Sequence, residues 1–193
     1  DGQVFSYRGA SYAIPLLGEH QLHNAATVLE AISVLRKQGW DIDDEAVESG
    51  LYSVAWPARF EVLHTDDPWF VLDGGHNPQC AAALRECLEH YFPDSKRVAL
   101  VGVLKDKDYK SIAATLAPLF DACVCVTPPS ERALPAEELA ELFKDSCREV
   151  CVAGTVEDGV DLARDIAQEQ DAMVCAFGSL YICGQIRSCF GLR

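Results

Sequence analysis

The sequence predicts an α/β fold in which a mainly parallel sheet of six strands carries helices on both faces. Two observations support this fold class. From residue 59 onward, short apolar runs alternate with stretches of helical periodicity. Most of these runs are continuously apolar, as is typical of strands that are buried on both faces of a parallel sheet.

The expected elements follow this alternation along the chain. Strands at 60–65 and 69–72 form a hairpin around Asp66-Asp67-Pro68, since these residues favour a turn. Asn77 caps the next helix, and Pro78 suits its first position. The later elements are helix 77–91, strand 98–103, helix 109–116, strand 122–126, helix 136–143, strand 149–152, helix 156–168, strand 172–176 and helix 180–190. Six strands and five helices in this order are typical of a Rossmann-like domain.

The first 55 residues have a different pattern. Strand-like runs at 4–7 and 12–14 have no visible partners, which predicts the middle of a domain whose first part is missing. Amphipathic helices are expected at 20–38 and 43–52. Because Pro57 blocks helix continuation, we place the boundary between residues 1–55 and the Rossmann-like domain of residues 56–193.

Composition excludes several classes of function. The net charge of −14 over 193 residues argues against nucleic acid and acidic membranes as partners, and no apolar run is long enough to span a membrane. The nine cysteines are odd in number, form no C-x-x-C pair and have no zinc-ligand spacing. We therefore predict reduced thiols in a cytoplasmic protein, with no metal site in this chain. We also expect a monomer.

Unusual polar residues follow four of the predicted strands, in loops 73–78, 102–108, 128–134 and 177–179. All four loops leave carboxyl ends of strands, so we expect them to meet at one edge of the sheet. The first is Asp73-Gly74-Gly75-His76-Asn77-Pro78, where glycines let the backbone approach a ligand and the helix start favours an anion. The same hexapeptide also fits an ordinary strand-to-helix turn.

Other candidate site residues have plain alternatives as well. Ser179 opens a helix, where it either caps the helix or helps to bind a carboxylate or phosphate. Arg59 is either a bidentate phosphate ligand at the domain boundary or a partner in a surface salt bridge. The segment that contains Lys105 and Asp106 is either part of the site or a solvated run of charges.

The helix start around His20, Gln21 and Asn24 places two side-chain amides on one face. An amide offers both a donor and an acceptor, which matches the hydrogen-bonding edge of adenine. The alternative is a solvated helix face.

Five motifs in this order resemble a known family. They are Gly-x-His-Gln-x-x-Asn-Ala-Ala, Trp-Pro-x-Arg-Phe-Glu, Asp-Gly-x-His-Asn-Pro, Gly-Val-Leu-x-Asp-Lys-Asp and Phe-Gly-Ser-Leu-Tyr. From about Leu16 to Ile186 the chain resembles folylpolyglutamate synthase, including the bifunctional dihydrofolate synthase form, within the Mur ligase superfamily. Ala58 and Gly75 depart from the pattern, in which Gly and Ala are more usual.

The resemblance implies an enzyme that uses ATP to form an acyl phosphate, which the amine of L-glutamate then attacks. It implies that Asn24, with His20 and Gln21, meets the adenine of ATP. It further implies that Arg59 holds the ATP phosphates and that Asp73 binds the nucleotide near its ribose. Residues 1–55 would then be the tail of an ATPase domain, made of short strands and two helices.

On the substrate side, the resemblance implies that His76 and Ser179 position the incoming glutamate. Lys105 and Asp106 would line the same cleft. His76 and Arg59 are the residues expected to act in catalysis, and a folate or dihydropteroate is the expected acceptor of glutamate.

The family's ATPase domain has a P-loop and magnesium ligands, whereas the sequence contains no G-x-x-x-x-G-K-[ST]. We therefore expect Mg²⁺ to be bound in a missing N-terminal part, and we expect the present chain to be inactive alone. Two alternatives remain: a Mur-type ligase that acts on a peptidoglycan precursor, and a non-catalytic nucleotide-sensing or interaction module.

Overall fold

The structure is a computed structural model that describes residues 2–64, 66 and 68–192. It divides into two compact units, residues 1–57 and 58–193. Each unit has its own cluster of buried apolar side chains. The turn expected at 66–68 lies partly outside the described residues, since residue 67 is not among them.

The first unit contains a two-stranded antiparallel sheet followed by two helices: β1 (Gln3–Tyr7), β2 (Ala10–Ile14), α1 (Glu19–Lys37) and α2 (Asp44–Tyr52). The expectation that the two strand-like runs lack partners is wrong, because they pair with each other. Arg8 and Gly9 both have positive φ values, 50° and 84°, in the two-residue turn between them. A turn of this kind matches the twist of a hairpin, but an arginine in its first position gives a weak sequence signal.

Both helices expected in this part of the sequence, at 20–38 and 43–52, are confirmed. α2 begins as expected from its acidic start, since the Asp43 carboxylate accepts a hydrogen bond from the Ala46 amide at 2.7 Å. Buried side chains from β2 and both helices form the core of the unit: Ile14, Ala25, Leu29, Val47 and Leu51.

The second unit is the predicted six-stranded, mainly parallel sheet. Its strands are β3 (Glu61–His64), β4 (Phe70–Asp73), β5 (Lys96–Val101), β6 (Ala122–Cys125), β7 (Glu149–Val152) and β8 (Ala172–Phe177). Their order is β3-β4-β8-β5-β6-β7, and only β3 runs antiparallel to its neighbour. Its helices are α3 (Pro78–Tyr91), α4 (Tyr109–Leu116), α5 (Ala136–Glu141), α6 (Val156–Gln170) and α7 (Leu180–Cys189), with a 3-10 turn at Ala117–Leu119.

Helices cover both faces of this sheet. Leu72, Leu100 and Val124 point to one face, where they share a core with residues of α6 and α7. Their chain neighbours point to the other face, because side chains alternate along a strand. On that face the Cys87 thiol of α3 is close enough to Cys175 to raise the pKa of Cys175, although desolvation is the main cause of that rise.

β5 begins two residues before the predicted strand because the structure buries Arg97 within it. Its guanidinium donates to the carbonyl oxygens of Phe92 at 2.5 Å and Leu88 at 3.4 Å. These carbonyls lie at the end of α3, and each also accepts from a backbone amide, Leu88 from Phe92 and Phe92 from Ser95. A charged residue in this place cannot be assigned to a strand from apolar periodicity alone.

All nine cysteines are free thiols, as predicted. Six are buried, Cys80 and Cys151 are partly exposed, and Cys189 is exposed. Desolvation raises the pKa of Cys87 and of Cys183 to about 12 and that of Cys147 to about 11. In the described part of the chain, no helix is both long enough and apolar enough to cross a membrane.

We predict that Cys189 reacts first when the native protein is treated with a disulfide reagent at pH 8, because it is the one exposed thiol among the nine. The six buried thiols should react only after unfolding, since the reagent cannot reach them in the folded protein. Counting released thiolate before and after denaturation checks this, with Cys189→Ser as the control that removes the fast phase. Fast reaction of more than three thiols in the folded protein would contradict the burial described above.

Candidate active site

The structure brings the four polar loops to one edge of the sheet, as the sequence predicts. In the strand register, Asp73 lies opposite Phe177, and Val101 lies opposite both Phe177 and Cys125. The four strands therefore end in one row, and the loops that follow them start side by side. The Gly102 amide donates to the Phe177 carbonyl at 3.3 Å, which joins two of these loops directly.

Two glycines of this edge lie where an added Cβ atom would meet a neighbouring segment. Gly178 has a φ of 109°, and a Cβ atom there would lie 2.7 Å from the Gly102 carbonyl oxygen. At Gly74 a Cβ atom would meet Leu180 of α7 at 2.3 Å. At Gly178 the loops after β5 and β8 are thus packed backbone against backbone, whereas at Gly74 the half-exposed Leu180 side chain would have to move.

The Asp73 carboxylate connects two turns of the edge. One oxygen accepts a hydrogen bond from the Gly75 amide at 2.7 Å, and the other accepts from the Phe60 amide at 2.9 Å. Asp73 is only 8% exposed, so these bonds replace most of its hydration. A nucleotide bound by this carboxylate would share it with both amides, and the expected contact near the ribose stays a prediction.

Arg59 lies in a turn with left-handed backbone on either side. Ala58 has a φ of 56° and Phe60 a φ of 43°. Both flanking side chains are buried, whereas Arg59 is partly exposed. A left-handed conformation is unfavourable for residues with a Cβ atom, which explains why glycine is the more usual residue at the position of Ala58.

His76 is held next to the start of α3. Its Nδ1 lies 3.2 Å from the Gly74 carbonyl oxygen. Because a carbonyl only accepts, this hydrogen bond requires the proton on Nδ1, so the neutral ring keeps a lone pair on Nε2. The Asn77 side chain caps α3 by accepting from the Cys80 amide at 2.8 Å, which confirms the predicted cap.

Ser179 caps α7, which is the first of the two roles that the sequence allows for it. Its hydroxyl oxygen accepts from the Tyr181 amide at 3.2 Å, and the residue is 2% exposed. The serine is therefore part of the packed edge, and its contact with glutamate stays a prediction.

Lys105 and Asp106 belong to a loop that is paired with the loop after β6. The Lys105 amide donates to the Arg132 carbonyl at 2.9 Å, and the side chains of Asp106 and Arg132 form an ion pair. The hydrogen bond from Arg132 lowers the pKa of Asp106. Arg132 lies in the loop expected at 128–134, but no local pattern indicates its role, because its partner lies 26 positions away.

The three residues expected to meet adenine lie in the first unit and form a chain of hydrogen bonds. The Gln21 amide lies 3.0 Å from His20 Nε2, and the Asn24 amide donates to Gln21 at 3.0 Å. Gln21 is buried, which leaves Asn24 as the exposed end of this chain. Their contact with ATP stays a prediction.

A family model described as the Mur ligase glutamate ligase domain matches residues 58–180. The chain belongs to the Mur ligase family. The match contains Arg59, Asp73, His76 and Ser179, so the edge described above lies within the Mur ligase domain. No group of three or more potential metal-ligating side chains occurs among the described residues.

Relatives of this Mur ligase chain carry the names of folate enzymes. It is 34% identical to a Mycobacterium tuberculosis dihydrofolate synthase/folylpolyglutamate synthase over 98% of this chain and 43% of the relative. The structure of folylpolyglutamate synthase from the same organism, complexed with ADP and AMPPCP, has a TM-score of 0.89 at 32% identity, covering all of this chain and 46% of that one.

A bifunctional enzyme of this type from Yersinia pestis, complexed with AMPPNP and Mn ion, has a TM-score of 0.77 at 26% identity. That likeness covers 98% of this chain and 44% of the Yersinia pestis chain. The present chain thus spans less than half the length of these relatives.

We predict that Gly178→Ala lowers the free energy of unfolding by about 2–4 kcal/mol, because it adds a strained backbone to a steric clash. Gly184→Ala is the matched control, since Gly184 lies in α7 with open space where its Cβ atom would be. It should raise stability by about 0.5–1 kcal/mol. Urea unfolding of both variants checks this. An unchanged midpoint for Gly178→Ala would show that the loops are not tightly packed in solution.

Proposed function

We propose that this chain is the carboxyl-terminal part of an ATP-dependent ligase that adds L-glutamate to a folate or to dihydropteroate through an acyl phosphate. The observation that carries the proposal is the joining of the Arg59 and His76 turns by the Asp73 carboxylate. It places a guanidinium and an imidazole on two linked turns of one domain. The names of the relatives and the family match support the choice of substrates.

In this proposal Arg59 stabilises phosphoryl transfer. ATP converts a carboxylate into an acyl phosphate, and charge moves onto the phosphoryl oxygens during that step. A guanidinium can donate two parallel hydrogen bonds to such oxygens, and its contribution grows where water is excluded. The partly buried turn of Arg59 suits this role.

His76 would act on the other substrate. The lone pair on Nε2 can accept a hydrogen bond from the amino group of glutamate and orient it towards the acyl carbon. Ser179, Lys105 and Asp106 complete the proposed substrate side, and His20, Gln21 and Asn24 the proposed adenine side. In this scheme residues 1–55 are the tail of an ATPase domain and residues 56–193 the ligase domain.

ATP and Mg²⁺ are the proposed cofactors. The family members complexed with ATP analogues, one of them with a manganese ion, support this choice. We assign the metal ligands to the part of a longer protein that lies outside this chain, since the chain spans less than half the length of its relatives. We also expect a monomer in the cytoplasm that binds neither nucleic acid nor membranes.

The first test is an activity assay of the longer protein that contains this chain. With ATP, Mg²⁺ and L-glutamate, it should convert dihydropteroate or a reduced folate into the glutamate-extended product, with release of ADP and phosphate. A peptidoglycan precursor should not replace the folate, and the 193-residue chain alone should be inactive. Turnover only with the peptidoglycan precursor would favour the Mur-type alternative, and nucleotide binding without any turnover would favour a sensing module.

The second test separates His76 from Arg59 in the longer protein. His76→Ala should mainly raise the KM for glutamate and leave ATP binding nearly unchanged. Arg59→Ala should chiefly lower kcat, with a loss of about 2–4 kcal/mol of transition-state stabilisation. Steady-state kinetics with ATP and glutamate varied separately measure both effects.

The matched controls are His90→Ala and Arg85→Ala, since both residues are exposed on α3 away from the start of that helix. Neither should change the kinetics. A His76→Ala variant that needs more ATP and the same glutamate would show that the two roles are wrongly assigned.

A further inference from the structure

The turn that carries Arg59 is held at three backbone groups by three different partners. The Ala58 amide donates to Glu61 Oε2 at 2.8 Å, and the Ala58 carbonyl accepts from the Gly74 amide at 2.8 Å. The Phe60 amide donates to Asp73. Left-handed residues other than glycine persist only where the surroundings fix them, so these bonds maintain the conformation of the turn.

Glu61 is the partner that connects this turn to α7. While Oε2 accepts from the Ala58 amide, Oε1 forms an ion pair with the Arg187 guanidinium. The ion pair is poorly hydrated, because the side chains of Arg187 and Glu61 are only 13% and 22% exposed. Removing one partner of such a pair leaves the other charge with too little water, unlike the exposed pairs that contribute little.

The pair reaches across a long stretch of sequence. Glu61 begins β3, whereas Arg187 lies in the last turn of α7, the helix that Ser179 caps. One carboxylate therefore links the turn of Arg59 to the helix whose start lies at the candidate site. Sequence reasoning assigned neither residue a role.

We propose that Glu61, held by Arg187, is a positioning residue for Arg59. The carboxylate fixes the direction of the Ala58 amide and thereby keeps the left-handed turn in the one conformation that presents the guanidinium. Glu61 is the last residue of the Trp-Pro-x-Arg-Phe-Glu motif, two positions after Arg59, so the proposal also gives that glutamate a function. The kinetic part of the test below rests on the proposed function, whereas the structural part does not.

The structural part measures hydrogen exchange of backbone amides in the longer protein. In Glu61→Ala and in Arg187→Met, the amides of Ala58 and Phe60 should exchange about tenfold faster or more, while the amides of β5 keep their protection. Glu61→Gln retains one carbonyl acceptor and should give a smaller change. Glu89→Ala is the control, since it removes an exposed pair with Arg85 and should alter none of these amides. Unchanged exchange at Ala58 in Glu61→Ala overturns the proposal.

The kinetic part is a double-variant cycle with Arg59. Glu61→Ala alone should lower kcat about tenfold while the KM for glutamate changes less than about twofold. In the Arg59→Ala background the same change should cost no further kcat, because there is no guanidinium left to position. If the double variant instead loses kcat by the product of the two single losses, Glu61 makes a structural contribution that is independent of Arg59. That result would overturn the proposal. If the unmodified protein adds no glutamate, the proposed function fails by itself, and the exchange measurement still decides whether Glu61 holds the turn.

Discussion

The arrangement of the candidate site depends on a single buried carboxylate. Asp73 ends a fully buried strand, so its charge must be compensated by hydrogen bonds from nearby donors. The donors are backbone amides from two separate turns, one beside Arg59 and one beside His76. The relative position of the two turns therefore depends on backbone amides that share one carboxylate. The buried strand β4 thus fixes the positions of two loops that have no regular structure of their own.

The same constraint explains the unusual backbone around Arg59. Left-handed alanine and phenylalanine residues raise the energy of the folded state, and the buried contacts of both side chains offset that cost. The ring centroids of Phe60 and Tyr91 are 5.6 Å apart, and this contact packs the turn against α3 on one side. Glu61 and Arg187 fix it from the side of α7. Strain in this turn is consistent with a site in which geometry takes precedence over local stability.

Sequence patterns were sufficient for the fold and for the convergence of the polar loops on one edge of the sheet, but not for the contacts among them. Continuous apolar runs predict strands such as β8, and the alternation with helices predicts which strand ends share an edge. The bond between Asp73 and the Phe60 amide could not be predicted, because Phe60 lies 13 residues away across a hairpin. The pair between Glu61 and Arg187 spans 126 positions, and no local pattern indicates such a contact. Arg97 was missed for a related reason, since its burial depends on carbonyls at the end of another element.

The small sheet of the first unit has a consequence for handling the protein. β1 and β2 pair only with each other in the described chain, so both outer edges of this hairpin present backbone donors and acceptors without strand partners. Val4 is 73% exposed on β1. An open edge with apolar side chains is a template for strand addition by a second molecule. For the 193-residue chain handled by itself, strand addition at these edges is therefore the first cause of turbidity to examine in concentrated samples.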